Sequence, residues 1–353
     1  MTSYSGVLET YRPFLDIPTH TRTVTLLEGN TPLIPLPKLA ETLGGGFELF
    51  AKFEGMNPTG SFKDRGMTVA ISEAYGRGAK AVICASTGNT AASAAAYASR
   101  AGMRCIVIIP AGKVATGKLA GAVAYGAEVI QIDGSFDDAL NLVVAISERH
   151  PIALVNSLNP YRLEGQKTAA FEICDVLAKA PDWLALPVGN AGNISAYWMG
   201  FKQLHERNKT PLPQILGVQA EGSAPLVLGH PVEHPETIAT AIRIGKPARA
   251  EQALEAAEES GGRIIAVSDD EILKMQKMIA SNGVWVEPAS AAGIAGLAHE
   301  LERGTIDLKG KVVAAVCTGH GMKDPDIITR DMPKPAILPS EMSALEDYLA
   351  REK

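Results

Sequence analysis

Short apolar runs alternate with alanine-rich or amphipathic stretches along most of this chain, and that alternation constrains the fold more than any other feature. Ala81–Cys84 reads as a strand, Asn89–Arg100 as a helix of small residues and Arg104–Ile109 as the next strand. Thr116–Tyr125 follows as a helix, Glu128–Ile132 as a strand and Asp137–Arg149 as a helix, with Gly134 and Ser135 as turn residues before it. Strands separated by helix-length connections form a parallel sheet with crossovers on its faces. A second series contains strands at Trp183–Pro187, Ile215–Gln219, Ile264–Val267 and Val312–Cys317. Its helices are Ile194–Glu206, Asp269–Ser281 behind the cap residue Ser268, and Ala289–Arg303. The expectation is an α/β protein with two doubly wound parallel-sheet domains. A chain of 353 residues suits two, because single cores stop growing near ~250–300 residues. Pro225–Glu259 has weak periodicity and is expected to pack over a site. The tail after Arg330 carries Pro333, Pro335 and Pro339, then a short helix from about Ser340, and is expected to be peripheral, a candidate dimer arm.

Composition removes several classes. The 33 Lys+Arg and 39 Asp+Glu give a net charge of -6, which leaves no electrostatic footprint for nucleic acid. The four cysteines, Cys84, Cys105, Cys174 and Cys317, contain no C-x-x-C pair. They read as free thiols in a reducing compartment, without a metal site or disulfide framework. Met1–Phe14 has no apolar leader core, and no segment approaches the ~18 apolar residues that span a bilayer. A cytoplasmic protein with no membrane partner is expected.

Chemistry concentrates in a few loops. Asn57-Pro58-Thr59-Gly60-Ser61-Phe62-Lys63-Asp64-Arg65 delivers a lysine, through a Pro-Thr-Gly turn, to the start of a helix expected over Phe62–Gly76. Ser61 is its expected N-cap and Asp64 lies in its first turn. The positive end of a helix disfavours an ammonium and favours the nucleophilic amine. Ser86-Thr87-Gly88-Asn89-Thr90 follows a strand and opens a helix, an arrangement suited to a carboxylate and equally to an ordinary capped helix start. Pro187-Val188-Gly189-Asn190-Ala191-Gly192-Asn193 makes a nest of N–H donors suited to a phosphate monoester, or a tight turn. It lacks the P-loop lysine and the G-x-G-x-x-G fingerprint, which weakens a nucleotide triphosphate and a dinucleotide oxidoreductase. Cys317-Thr318-Gly319-His320-Gly321 points a neutral hydroxyl, Thr318, at the same strand ends, where ligands of parallel sheets bind. His320 reads as a loop residue. Glu287, just before a helix, reads as structural. A reactive lysine, a carboxylate site, a phosphate nest and a neutral hydroxyl together fit pyridoxal 5′-phosphate acting on an amino acid, with Lys63 as the cofactor's covalent partner.

From Gly29-Asn30-Thr31-Pro32-Leu33 to Lys323-Asp324-Pro325 the chain resembles the bacterial-type threonine synthases, a family of fold-type-II pyridoxal-phosphate enzymes with the tryptophan synthase β-like fold. Asn57–Arg65, Ser86–Thr90 and Glu287–Ala291 carry the wider likeness. Asn156–Thr168, Ala239–Gly245 and Thr318–Asp324 carry the narrower one. The resemblance implies a large cofactor-anchoring domain over 1–50 and 155–353, a small mobile domain over 51–154 and an active site between them. It implies that Lys63 binds the cofactor and moves protons, and that Asn89 bonds the ring hydroxyl. Gly189, Asn190, Ala191, Gly192 and Asn193 would hold the cofactor phosphate, and Thr318 would contact the pyridine nitrogen. Ser86, Thr87 and Thr90 would clamp the substrate carboxylate. The implied substrate is O-phospho-L-homoserine, whose phosphate falls to Asn156, Ser157 and Arg162; a structural ion pair is the other reading of Arg162. The implied reaction removes protons from Cα and Cβ, releases phosphate from Cγ and adds water at Cβ to give L-threonine.

The resemblance also implies a homodimer. About sixty residues precede Lys63, too few for the N-terminal regulatory extension of plant relatives, so no activation by S-adenosylmethionine is expected. A serine/threonine ammonia-lyase would share the lysine and the Ser86–Thr90 loop but would need no second phosphate site. A pyridoxal-phosphate-binding protein without turnover is the remaining alternative.

Overall fold

The computed structural model describes residues 4–112, 116–329 and 334–350. In chain order, helix Val7–Tyr11 (α1), strand Leu33–Pro35 (β1), helix Pro37–Thr42 (α2) and strand Glu48–Phe53 (β2) lead to the lysine helix Lys63–Gly76 (α3). Next come Ala81–Ala85 (β3), Asn89–Arg100 (α4), Arg104–Pro110 (β4), Thr116–Ala124 (α5), Glu128–Ile132 (β5), Phe136–Arg149 (α6) and Ile152–Leu154 (β6). The chain then passes through Tyr161–Leu177 (α7), Trp183–Pro187 (β7), Gly192–Asn208 (α8), Gln214–Ala220 (β8), Pro225–Leu228 (α9) and Ala250–Glu259 (α10). It continues with Arg263–Val267 (β9), Asp269–Ser281 (α11), Pro288–Glu302 (α12), Val312–Cys317 (β10), Asp326–Thr329 (α13) and Met342–Leu349 (α14).

The strands form two sheets. One has the order β5-β4-β3-β6, and the other β1-β2-β10-β7-β8-β9. All pairings are parallel except β1 with β2. Central strands such as β3 and β7 are buried at all five positions. That is why they read as unbroken apolar runs, as strands covered on both faces do. The larger sheet packs α11 and α12 on one face through Ile272, Met275, Ile279 and Leu297. The other face takes α7, α8 and α10 through Ile173, Tyr197, Phe201 and Ala253. The smaller sheet is covered by α3 and α4 on one face and by α6 on the other.

Several sequence expectations shift. The 50/51 boundary falls inside β2, which is one continuous strand paired with β10 in the larger sheet. β1, β2 and β6 are not apparent from the sequence pattern, since β1 and β6 have three residues each and β2 is broken by Lys52. Ser61 does not cap α3. Phe62 holds the cap position, and the Ser61 hydroxyl is buried without a hydrogen-bond partner. The carboxylate of Asp64 closes the turn instead, accepting from Thr59 N at 2.7 Å, Thr59 Oγ1 at 2.6 Å and Ser93 Oγ at 2.5 Å. Within this turn Gly60 sits at φ +83, a conformation that penalises side chains. Ser135 is more than a turn residue, because it caps α6 in a capping box with Asp138. The tail helix α14 has no buried residue, and no helix among the described residues is long and apolar enough to cross a membrane.

Two glycines bring the lysine helix close to α7. A Cβ on Gly66 would lie 2.8 Å from the Arg162 carbonyl oxygen, and one on Gly165 would overlap the Arg65 carbonyl. A wholly buried ion network locks the same crossing. Arg65 donates to Glu54 at 2.6 and 2.8 Å and to Glu172 at 2.7 and 2.6 Å, while Lys52 donates to Glu172 at 2.7 Å. These two helices carry Lys63 and Arg162, so the tight crossing fixes the distance between the two cations.

Candidate active site

Lys63 is the first residue of α3, half-buried, with its ammonium nitrogen 4.2 Å from the centroid of the Phe62 ring. Burial pushes its pKa down to about 7, the Arg162 charge lowers it further, and Glu287 opposes both. A free amine is therefore abundant at neutral pH, as a nucleophile for an aldehyde requires.

The Thr318 loop lies beside it. Phe62 N donates to Thr318 O at 3.0 Å, and Ser61 bridges Gly319. Ser290, from the first turn of α12, fixes this loop. Its hydroxyl lies 2.9 Å from Thr318 Oγ1 and accepts from Gly319 N at 2.8 Å. Glu287 precedes α12, where Pro288 at the first helical position has no N–H of its own to satisfy. Its carboxylate accepts from Asn89 Nδ2 at 3.1 Å on both oxygens. Burial raises the Glu287 pKa, and Asn89, Lys323 and Lys63 counter the rise. Sequence reasoning treated Glu287 as structural and passed over Ser290; the E-P-A-S pattern is a helix start, and only the fold turns it toward Lys63. His320 stacks on Phe53 at 5.8 Å and meets the edge of Trp285 at 5.7 Å, while its Nδ1 accepts from Met322 N, consistent with a loop residue.

The Gly189–Asn193 loop leads into α8. Ala191 adopts φ 62, a left-handed conformation unusual for a residue with a Cβ, of the kind that concentrates at ligand sites. No side chain caps this 17-residue helix. A Cβ on Gly189 would lie 3.0 Å from Ile242 Cα, in the segment expected to pack over the site. Asn193 Nδ2 is buried and has no partner. Uncapped helix N–H groups, an orphaned buried amide and a glycine with no room for a side chain fit the phosphate of a cofactor.

The Ser86–Thr90 residues are all half-buried at the start of α4. Ser86 Oγ accepts from Gly88 N at 3.3 Å, and no hydrogen bond engages the hydroxyls of Thr87 and Thr90 among the described residues. Asn156 is tied to the same strand end, accepting from Ala85 N at 2.9 Å and donating to Ala85 O at 3.1 Å. One amide hydrogen of Asn156 remains, so much of its role is to join two loops. Ser157 Oγ accepts from Asn190 Nδ2 at 3.5 Å, which brings the two candidate phosphate loops together.

Arg162 is the most unusual member. It is 2% exposed, its Nε has no partner, and its one hydrogen bond goes to Val155 O at 3.4 Å. The nearby acids of α7 are engaged elsewhere, Glu164 with Lys167 at 2.5 Å and Glu172 with Arg65 and Lys52. Burial pushes the Arg162 pKa down to about 10, Cys84 opposes this, and Arg249 adds to it. The ion-pair reading of Arg162 finds no carboxylate among the described residues. A buried cation left this way makes Arg162 a candidate for binding an anion.

Two wound sheets with a buried lysine amine and two candidate anion loops at their strand ends fit an enzyme of the fold-type-II class, built around a phosphorylated aldehyde cofactor. The chain belongs to the pyridoxal-phosphate-dependent enzyme family, whose model matches residues 24–319, and within it to the threonine synthases. It is 60% identical over 325 residues to the threonine synthase of Synechocystis, covering 92% of this chain and 84% of that one. It is 55% identical over 349 residues to the threonine synthase of Mycobacterium tuberculosis, covering 98% and 96%. In three dimensions it resembles a fungal L-serine ammonia-lyase from Rhizomucor miehei, with a TM-score of 0.74, 23% identity and 88% and 98% coverage, a likeness of fold alone.

Proposed function

We propose that the chain converts O-phospho-L-homoserine and water into L-threonine and phosphate, with the residue roles that follow. The observation that carries this reading is the buried Arg162, without a carboxylate, close enough to Lys63 to depress its pKa. An ammonia-lyase acting on serine or threonine has no use for a second anion pocket.

Lys63, Asn89, the Gly189–Asn193 loop and Thr318 are the residues that would hold pyridoxal phosphate. When bound, the cofactor supplies an electron sink for negative charge developing on substrate carbons. Lys63, its amine close to half-neutral at pH 7, moves the protons at Cα, Cβ and Cγ. Thr87 and Thr90 offer free hydroxyls, and α4 its first N–H groups, to the substrate carboxylate. Arg162 and Ser157 receive the phosphate at Cγ, and Arg162 neutralises the charge that develops as that group leaves. The hydroxyl of Thr318 accommodates an unprotonated ring nitrogen, which a carboxylate would not.

The 81–154 sheet is the part proposed to move, carrying the carboxylate loop over the substrate. A cytoplasmic homodimer belongs to the same reading. Supporting it are the exposed Met342, Leu345 and Leu349 of α14, spaced along one helix face. Gel filtration of the full chain against a chain ending before α14 tests that part.

The decisive assay supplies purified holoenzyme with O-phospho-L-homoserine and, separately, with L-threonine, and quantifies threonine, phosphate and 2-oxobutanoate. Equal threonine and phosphate are expected. Phosphate without threonine, or efficient 2-oxobutanoate from threonine, would favour the ammonia-lyase.

A further inference from the structure

Arg162 is not alone. Arg249, the residue before α10, is half-buried and has no carboxylate partner among the described residues. Its side chain folds back on the Ser157 loop. Nε and Nη2 donate to Ser157 O at 3.4 and 3.3 Å, and Nη2 also reaches Leu158 O at 3.4 Å. These are long bonds to neutral acceptors, and they leave the two Nη1 hydrogens unused among the described residues. Its neighbour Ala248 donates its N–H to Asn190 Oδ1 at 3.1 Å, and Asn190 in turn donates to Ser157 Oγ. On the far side Arg162 donates to Val155 O.

Arg162, Asn190 and 248–249 are therefore all tied, directly or through Asn190, to the one loop 155–158. They bring two guanidinium groups, a hydroxyl and an amide, and none of the bonds that join them involves a carboxylate. Like charges gathered in a partly dry site destabilise one another unless an anion lies between them. The Arg249 charge adds to the lowering of the Arg162 pKa that burial causes. Nothing in the fold requires this. Arg65, equally buried on α3, is surrounded by two glutamates. Among the described arginines that are not exposed, Arg12, Arg65 and Arg263 each pair with a glutamate, and Arg162 and Arg249 do not.

We propose that Arg249 is a specificity-determining residue of the substrate-phosphate site, holding the Ser157–Leu158 backbone in place and supplying the second positive charge that selects a phosphate dianion. The inference rests on the phosphohomoserine reading above. A dianion needs two compensating charges in a low-dielectric pocket, and Arg162 supplies one. The second comes from an arm anchored beside the cofactor loop through Ala248 and Asn190, so charge and position are coupled.

The test compares wild type, Arg249→Gln, Arg249→Lys and Arg162→Gln, each as holoenzyme, for KM and kcat with O-phospho-L-homoserine and for competitive inhibition by inorganic phosphate. Cofactor affinity and absorption serve as the control for folding. For Arg249→Gln we expect KM and the phosphate inhibition constant to rise together by about 10- to 100-fold, the loss of one charged hydrogen-bonding group. We expect kcat to change less than about threefold, and cofactor binding not to change, because no bond links Arg249 to Lys63 or Thr318. Arg249→Lys, which keeps the charge, should fall between. Wild-type KM and phosphate inhibition in Arg249→Gln, with Arg162→Gln impaired, would overturn the role of Arg249 and leave the phosphate site standing. Unchanged values in both variants would overturn the phosphate-site reading itself. Should Arg249→Gln fail to bind cofactor, Arg249→Lys decides: KM and the phosphate inhibition constant raised together, with cofactor bound, support the role of Arg249, and wild-type values of both overturn it.

Discussion

Replacing Arg162 with methionine should stabilise the cofactor-free protein and abolish its function at the same time. The guanidinium is 2% exposed, with a single 3.4 Å hydrogen bond and an orphaned Nε. Burial lowers its pKa from the usual arginine range to about 10. The fall corresponds to roughly 3 kcal/mol by which the folded chain disfavours the charge. Since the folded value lies below the unfolded one, the cost is fully present below about pH 10 and fades only as the pH rises toward the unfolded value. At pH 7.5 methionine removes it whole, with a shorter, flexible side chain that carries no charge. The lost bond to Val155 returns part of the gain, leaving a net stabilisation of about 1–3 kcal/mol, as seen when buried ions give way to well-packed apolar groups.

Thermal melts of cofactor-free wild type and Arg162→Met at pH 7.5 measure this, and a rise of a few degrees is expected in the variant. A second melt series adds inorganic phosphate. Phosphate at about 100 times its dissociation constant stabilises a one-site protein by about 2.7 kcal/mol. It should raise the wild-type transition and leave the variant unmoved. Turnover of O-phospho-L-homoserine should fall more than about 100-fold, since a charge-assisted contact to the leaving group is gone. A variant that melts lower than wild type and still responds to phosphate would refute the reasoning, because Arg162 would then be a structural cation.

Four further outcomes follow from the same geometry. Lys63 in cofactor-free protein should react with an amine-directed reagent with a midpoint near pH 7. Its depressed value also makes the charged form costly below about pH 7, a cost relieved between 7 and 10.5. Lys63→Met should therefore flatten the rise of the cofactor-free melting temperature across that window. Glu287→Gln removes the charge that raises the Lys63 pKa, so the labelling midpoint should move to lower pH; a move upward would contradict the assignment. Ser290→Ala leaves Thr318 Oγ1 without its 2.9 Å partner and the buried Gly319 N–H without an acceptor. It should cost about 1–3 kcal/mol of stability, seen as a lower melting temperature, and shift the absorption band of the bound cofactor.

The sequence pattern was most informative where physical rules act locally. The strands of both sheets that lie buried on two faces, such as β3, β4, β7 and β10, read as apolar runs because parallel pairing leaves no solvent face. The loops at their ends carry glycine, asparagine and threonine for the same local reasons. β1, β6 and β2 escaped because two are only three residues long and the third carries Lys52, whose charge is matched by Glu172 more than a hundred positions away. Ser61 escaped for a related reason. A serine before a helix looks like a cap, but the Asp64 carboxylate already takes the bonds of that turn from Thr59 and Ser93, and Ser93 lies on another helix.

The site divides along the same line. Lys63, Thr318 and the Gly189–Asn193 loop are recognisable because each sits in a segment whose backbone chemistry is unusual by itself. Glu287, Ser290 and Arg249 have no such local mark, and their roles depend on partners 198, 28 and 92 positions away. What distinguishes Arg162 and Arg249 from Arg65 is the absence of a nearby acid, and absence of a tertiary partner leaves no trace in a linear pattern. The fold pairs Arg65 where rigidity is needed, at the α3–α7 crossing, and leaves Arg162 unpaired one helical turn before Gln166 on the same α7. Folding energy alone would favour pairing or removing both arginines. An unpaired buried arginine beside a paired one is therefore evidence of a ligand charge, and the sum of charge at the Ser157 loop predicts that ligand to be a dianion rather than a carboxylate.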